Sequence, residues 1–155
     1  MKKRLALLLT LILVMSSLIS CQYRGKEITS IEYVTIDYNG GYTERRIMDF
    51  SSGEVLEKTG IPGWNMDEDY KVIYTFDTAL SGEIVDSLYS TGVLNLRENY
   101  TTLEHIMDGG GWNFIIKYSD GSEKISKGSN AGPYQTFRNA DSAVYKITGE
   151  HFFIR

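Results

Sequence analysis

From residue 28 onward the order of apolar and polar positions carries most of the information. Residues 28–38 alternate, with Val34, Ile36 and Tyr38 on one side and Tyr33 and Thr35 on the other, the period of a strand. Asn39-Gly40-Gly41 is a turn signal, because Asn and Gly accept positive φ at little cost. Residues 42–50 read as the returning strand, Ser51-Ser52-Gly53 as a second turn, and 54–58 as a short third strand. Residues 59–69 hold Gly60, Pro62, Gly63 and an acidic run and predict a surface loop. A fourth strand is expected over 70–76, with Val72, Tyr74 and Phe76 on one side.

The period then changes. Leu80, Ile84 and Leu88 recur at helical spacing, with Val85 and Tyr89 beside them, Ser81 as N-cap and Gly92 just past the end. Residues 93–107 show no clear period, and Gly109-Gly110-Gly111 ends them. Residues 112–118 and 122–127 form a hairpin across Asp120-Gly121, expected as a two-residue turn of type I′. Pro133 suits a first helical turn, and Phe137, Ala140, Val144 and Ile147 give that helix its face until Gly149. A last short strand is expected over 151–154. Hairpins dominate and no β-α-β alternation appears. The pattern predicts a single α+β domain over 28–155, an antiparallel sheet built from hairpins with two helices packed on one face.

The first 27 residues follow other rules. Lys2, Lys3 and Arg4 precede an apolar stretch over 5–14, and Ser16 and Ser17 follow. That is the layout of a secretory signal over 1–20. A spanning helix would need roughly 20 apolar residues, more than this run provides. Leu18-Ile19-Ser20-Cys21 then resembles the lipobox of bacterial lipoproteins, with Ser where Ala or Gly is commoner. The resemblance covers residues 1–21 only. It implies cleavage between Ser20 and Cys21 and a diacylglyceryl group, with palmitate-type chains, on the Cys21 sulfur. Two chains hold firmly where one is marginal. Residues 21–27 then form the lipidated cysteine and tether. The implied location is a bacterial cell membrane or outer membrane, facing outside the cytoplasm. Farther along, the Trp112, Tyr118, Asp120-Gly121, Pro133 and Phe137 spacing is similar to a pattern of small secreted bacterial domains, which brings no activity with it.

Composition narrows the chemistry. Cys21 is the one cysteine, so no disulfide staples the domain. Removing the signal leaves 135 of 155 residues, enough to bury a core without staples. It also removes three basic residues, taking the formal charge from −4 to −7. That balance disfavours nucleic acid as a partner. His105 and His151 are the only histidines and neither has ligand spacing, so no metal or other cofactor is expected. The triple glycine is followed by a strand rather than a helix and lacks a Gly-Lys-Ser/Thr ending, so a turn is expected there, not a phosphate loop. Asp67-Glu68-Asp69 does not fit the twelve-residue calcium loop. No Gly-x-Ser-x-Gly elbow exists.

Trp64 is the aromatic that strand packing explains least, since it stands in the Gly/Pro loop ahead of Asp67, Glu68 and Asp69. These four are the candidate partner-binding residues, Trp64 as an apolar anchor and the carboxylates steering a basic partner. The alternative for Trp64 is a lid over the core. The leading expectation is a lipid-anchored, non-enzymatic binding or interaction domain whose partner is another envelope or extracellular protein. A small hydrolase or accessory protein acting on envelope or extracellular polymers, and an envelope inhibitor of another protein, are the alternatives.

Overall fold

The computed structural model describes residues 25–38, 41–102 and 109–153. The signal segment, Cys21, Asn39-Gly40, His105 and Ile154 lie outside the described residues.

Among the described residues seven strands form one sheet: β1 (Ile28–Asp37), β2 (Thr43–Asp49), β3 (Glu54–Gly60), β4 (Lys71–Thr75), β5 (Asn99–Thr101), β6 (Gly110–Tyr118) and β7 (Glu123–Ser129). Their spatial order is β4-β3-β2-β1-β6-β7-β5. Every pairing is antiparallel except β5 with β7. Two helices, α1 (Ser81–Thr91) and α2 (Tyr134–Thr148), complete an α+β fold. α1 lies between β4 at one edge and β5 at the other, so the chain crosses the sheet there.

Alternation decides which face the helices cover. Ile31, Met48, Val55, Phe114 and Ile116 are buried in one cluster with Ile84 and Leu88 of α1 and Phe137, Ala140 and Val144 of α2. Ile31 pairs with Met48 and Ile116, and Met48 with Val55, so these side chains share one side of the sheet. Both helices end on a glycine in the left-handed region, Gly92 at φ 79° and Gly149 at φ 78°, where an L side chain is strained.

Five local expectations differ from the structure. The register shifts between Val55 and Leu56 where β3 meets β4. Val72 therefore pairs with Leu56 and Tyr74 with Val55, on opposite faces, rather than sharing a side. Ser81 is the first residue of α1 and not its cap. Asp77 instead caps a 3₁₀ turn (Thr78–Leu80), accepting from the Ala79 N–H at 2.9 Å. The β6–β7 connection is not type I′, because Asp120 is not among the positive-φ residues whereas Gly121 is, at φ 79°. Gly121 N–H donates to Tyr118 O and Tyr118 N–H to Ser122 O, both at 3.0 Å, which makes a type I turn closed by a left-handed glycine. The triple glycine is only partly a turn, since Gly110 and Gly111 open β6. A Cβ on Gly111 would lie 2.4 Å from Oη of the exposed Tyr38, so a larger residue there would displace that ring.

The fifth difference is at the C-terminus, where residues 151–153 form a bend and not a strand. Asp141, buried on α2, holds that bend. Its Oδ1 accepts from the N–H groups of Phe152 (2.9 Å) and Phe153 (2.8 Å), and its Oδ2 contacts His151 Nδ1 at 2.5 Å. Both phenylalanines thereby enter the core. Asp141→Ala strands two buried donors and should cost about 3 kcal/mol, while Asp141→Asn, which keeps an oxygen acceptor, should cost less than half of that. Denaturant midpoints of the two variants test the ranking.

Candidate binding site

The strands place two poles at opposite ends of the sheet. The chain enters β1 at the first pole, where the Ser119 N–H donates to Glu27 O at 3.0 Å. There Lys26 Nζ also reaches Asp120 (2.7 Å) and Ser122 Oγ (2.8 Å). Lys26, followed by Ser122, holds the Asp120 carboxyl well below the usual carboxylate range. At the second pole β1 ends, β2 begins and β3 ends, with Thr43 paired to Gly60 and Asp37 to Gly110.

A cleft of about 630 Å³ opens at the second pole, lined by Tyr33, Tyr42, Trp112, Tyr134, Asp37, Glu44 and Asn130 among others. No lysine or arginine lines it among the described residues. The cross-strand register Thr35–Trp112 and Thr35–Glu44 brings β1, β2 and β6 together under it, on the helix-bearing face. Trp112 is buried and its Nε1–H donates to Ala131 O at 2.8 Å. A Cβ on Gly128 would lie 2.3 Å from that nitrogen, so the indole needs glycine beneath it. Tyr33 packs against Phe137 (centroids 5.0 Å apart) and Phe153 (5.4 Å). Burial, with Tyr134 and Glu44 nearby, pushes the Tyr33 hydroxyl up to about 12. It is therefore a neutral donor at ordinary pH. Glu44 is ion-paired with the buried Arg46 at 2.6 Å. Asn130 Oδ1 is buried with no hydrogen-bond partner among the described residues, an acceptor suited to a donor from outside. Its backbone sits at φ 52°, a conformation Asn tolerates better than most residues.

Trp64 stands at the same pole and is 83% exposed. At that exposure it is not a lid over the core. Its loop is ordered by its own hydrogen bonds: Asn65 Oδ1 accepts from the Ile61 N–H at 2.8 Å, and Ile61 O accepts from the N–H groups of Trp64 (3.0 Å) and Asn65 (3.1 Å). Gly60 is obligatory, because a Cβ there would meet Asn65 O at 2.4 Å. The acidic run divides. Asp67 turns inward, accepting from the Thr59 N–H and Oγ1–H at 3.1 Å each and from Lys71 Nζ at 3.1 Å. Lys71 and then Thr59 hold its carboxyl below the usual carboxylate range. Glu68 and Asp69 are exposed and remain available. Cys21 lies outside the described residues.

Sequence reasoning missed Tyr33, Tyr42, Glu44, Trp112 and Tyr134 as a group. They are about 100 residues apart at the extremes, and strand register together with helix packing joins them. The structure also pairs Asp141 with His151, but that carboxylate holds backbone donors, and His151 stacks on Tyr145 (4.5 Å) with no hydroxyl nucleophile bonded to it among the described residues. Among the described residues no three His, Cys, Asp or Glu side chains converge as metal ligands. A larger cleft, about 1360 Å³, opens at the first pole beside the tether. Its Lys124, pushed down by burial, donates to Leu94 O at 2.8 Å, a packing role. The second-pole cleft is the better site, because aromatic faces, hydroxyls and an unmet acceptor converge there. No protein-family model matches this chain, and no curated protein matches it.

Since Tyr33 ionises only well above its unfolded value near 10, its burial stabilises the neutral form. Stability from this group is complete below about pH 10 and is lost as pH rises toward 12. Tyrosinate absorbance should show a late component that Tyr33→Phe diminishes, the half-buried Tyr74 supplying the rest, and the alkaline fall of the denaturation midpoint should be shallower in that variant.

Proposed function

We propose that this chain is a binding domain held by lipid on Cys21 to the outer side of a bacterial cell membrane or outer membrane. In this reading it presents its second pole to a ligand or to another envelope or extracellular protein. One observation carries the reading. The segment leading from Cys21 joins the sheet at the pole opposite the cleft and the exposed Trp64. β1 has ten residues, about 33 Å at strand rise, so an anchor at one end leaves the other unobstructed. An exposed tryptophan on an ordered loop beside an aromatic cleft suits recognition, because tryptophan gives contact area at low entropy cost. Trp64 serves as the anchor, Glu68 and Asp69 steer a basic partner, and Asp67 keeps the loop in shape.

The hydrolase reading has one supporting feature, Asp37 and Glu44 on one cleft wall. It requires polymer-degrading activity that Glu44→Gln removes.

Two variants test the proposal. Cys21→Ser should abolish metabolic labelling with a fatty acid and leave the precursor uncut, and labelling of that variant refutes the anchor. Trp64→Ala should change stability by less than about 0.5 kcal/mol, as exposed sites do, while partner recovery from native membranes is lost. Unchanged recovery removes Trp64 from the binding surface.

A further inference from the structure

The face of the sheet opposite the helices carries an unusual order of side chains. The register aligns Ile125, Ile115, Glu32, Ile47, Leu56 and Val72 in one row across six neighbouring strands. Five of the six are branched aliphatics. Val72 is 51% and Ile125 41% exposed, and Ile115, Ile47 and Leu56 are half-buried without joining the core cluster. A solvated face would alternate to polar residues at these positions. Glu32 is buried and lies 3.0 Å from Arg45 Nε, so it is neutralised within the row. The pair is not aligned as a hydrogen bond, and Arg45 Nε has no hydrogen-bond acceptor among the described residues.

The rows on either side carry opposite charge. One holds Glu123, Lys117, Ser30, Asp49 and Glu54, and the other Lys127, Asn113, the buried Val34, Arg45 and Lys58. Strand by strand, the apolar residue stands between an acid and a base two positions away: Glu123-Ile125-Lys127 on β7, Asp49-Ile47-Arg45 on β2 and Glu54-Leu56-Lys58 on β3. No ion pair within the chain engages Glu123, Lys127, Glu54, Lys58 or Asp49 among the described residues. Asp49 Oδ1 caps the turn at Ser51, and Lys58 donates to Glu68 O.

We infer that this face docks on the same face of a second copy, about a two-fold axis running along the apolar row. That operation lays each row residue against its own copy and turns the acidic row of one copy onto the basic row of the other. Glu123 then meets Lys127, Asp49 meets Arg45 and Glu54 meets Lys58 on three strands at once. A two-fold axis along the strands would instead set acid against acid, so the charge order selects the axis. Isologous contacts require such self-complementarity. Six strands about 4.8 Å apart and three rows about 6.8 Å apart offer roughly 600 Å² of each copy. Both copies together give about 1,200 Å², the lower end of specific interfaces. The cleft lies on the helix-bearing face and stays open, so the inference is independent of the binding reading.

Sedimentation velocity of the full-length chain in mild detergent tests it. The wild type should dimerise, and more weakly as salt rises. Glu123→Lys turns two attractive contacts into two repulsive ones and should weaken the dimer about tenfold. Glu123→Lys with Lys127→Glu should restore it, since residue 123 of each copy faces residue 127 of the other. Both positions are exposed, and near-UV dichroism confirms that each variant is folded. A wild type that stays monomeric at about 100 μM, a single reversal without effect, or a double reversal no better than the single overturns the inference.

Discussion

The guanidinium of Arg46 is the constraint around which the helix-bearing side of the sheet is arranged. It is 3% exposed, on a strand position that faces the helices. A charge so placed is costly unless every donor direction is met. Glu44 (2.6 Å), Glu57 (3.0 Å) and the Phe152 carbonyl (3.0 Å) meet it. Two of those partners come from neighbouring positions of the sheet, and the third comes from the far end of the chain. Asp141 supplies the complement by taking the amides of Phe152 and Phe153. One cation and one anion, on opposite sides of the same bend, therefore fix residues 151–153 between α2 and β2. The cleft depends on this arrangement, because Arg46 holds Glu44 at its wall and Phe153 packs on Tyr33.

Much of this was legible in the chain. The glycines that end both helices, the alternation of β1 and the exposure of the Pro/Gly loop with Trp64 all follow from residue chemistry within a few positions. What was not legible depends on partners far away. The side taken by Val72 depends on a register shift against β3, so alternation within residues 70–76 misplaces it. Ser81 reads as a cap until Asp77 is seen to start the turn four residues earlier. The apolar run Phe152-Phe153 suggests a strand, but the amides are claimed by Asp141, whose mid-helix position gives no local hint. The cleft combines Tyr33 with Trp112 and Tyr134, which the β1–β6 pairing and the packing of the second helix on the sheet make neighbours. Asp67, Glu68 and Asp69 read as one charge run, whereas Thr59 and Lys71 withdraw the first of them.

The two faces of the sheet show two ways of placing apolar residues. On the helix-bearing face they are large, interlocked and almost fully buried, with aromatic contacts such as Phe114 to Phe137 (6.1 Å) and Trp112 to Phe137 (5.0 Å). On the other most are branched aliphatics in one row, with Val34 buried in the row beside it and charges along both borders. Burial within the chain accounts for the first set. Folding alone does not require the second, since Glu54-Val55-Leu56-Glu57-Lys58 would make an adequate strand with a polar residue at 56. Apolar surface left this regular, with charges ordered around it, is what a recognition surface presents rather than what folding leaves behind.

The two-fold axis and the tether constrain each other. An axis along the row reverses the strands, so the first poles of the two copies point in opposite directions. If Cys21 is lipidated as proposed, the lipids of both copies would enter one bilayer only with the axis along the membrane normal and the strands parallel to the surface. In that orientation β1, the central strand, lies three strands, about 14 Å, from either edge of the sheet. Residues 21–25, ahead of the pinned Lys26, would reach about 17 Å at full extension, enough to pass an edge strand. The clefts then open at the two lateral ends of the pair, one from each copy, on the outward helix-bearing faces. A partner with two matching sites on the same surface would engage both at once, and its apparent affinity would rise through effective concentration without any new contact.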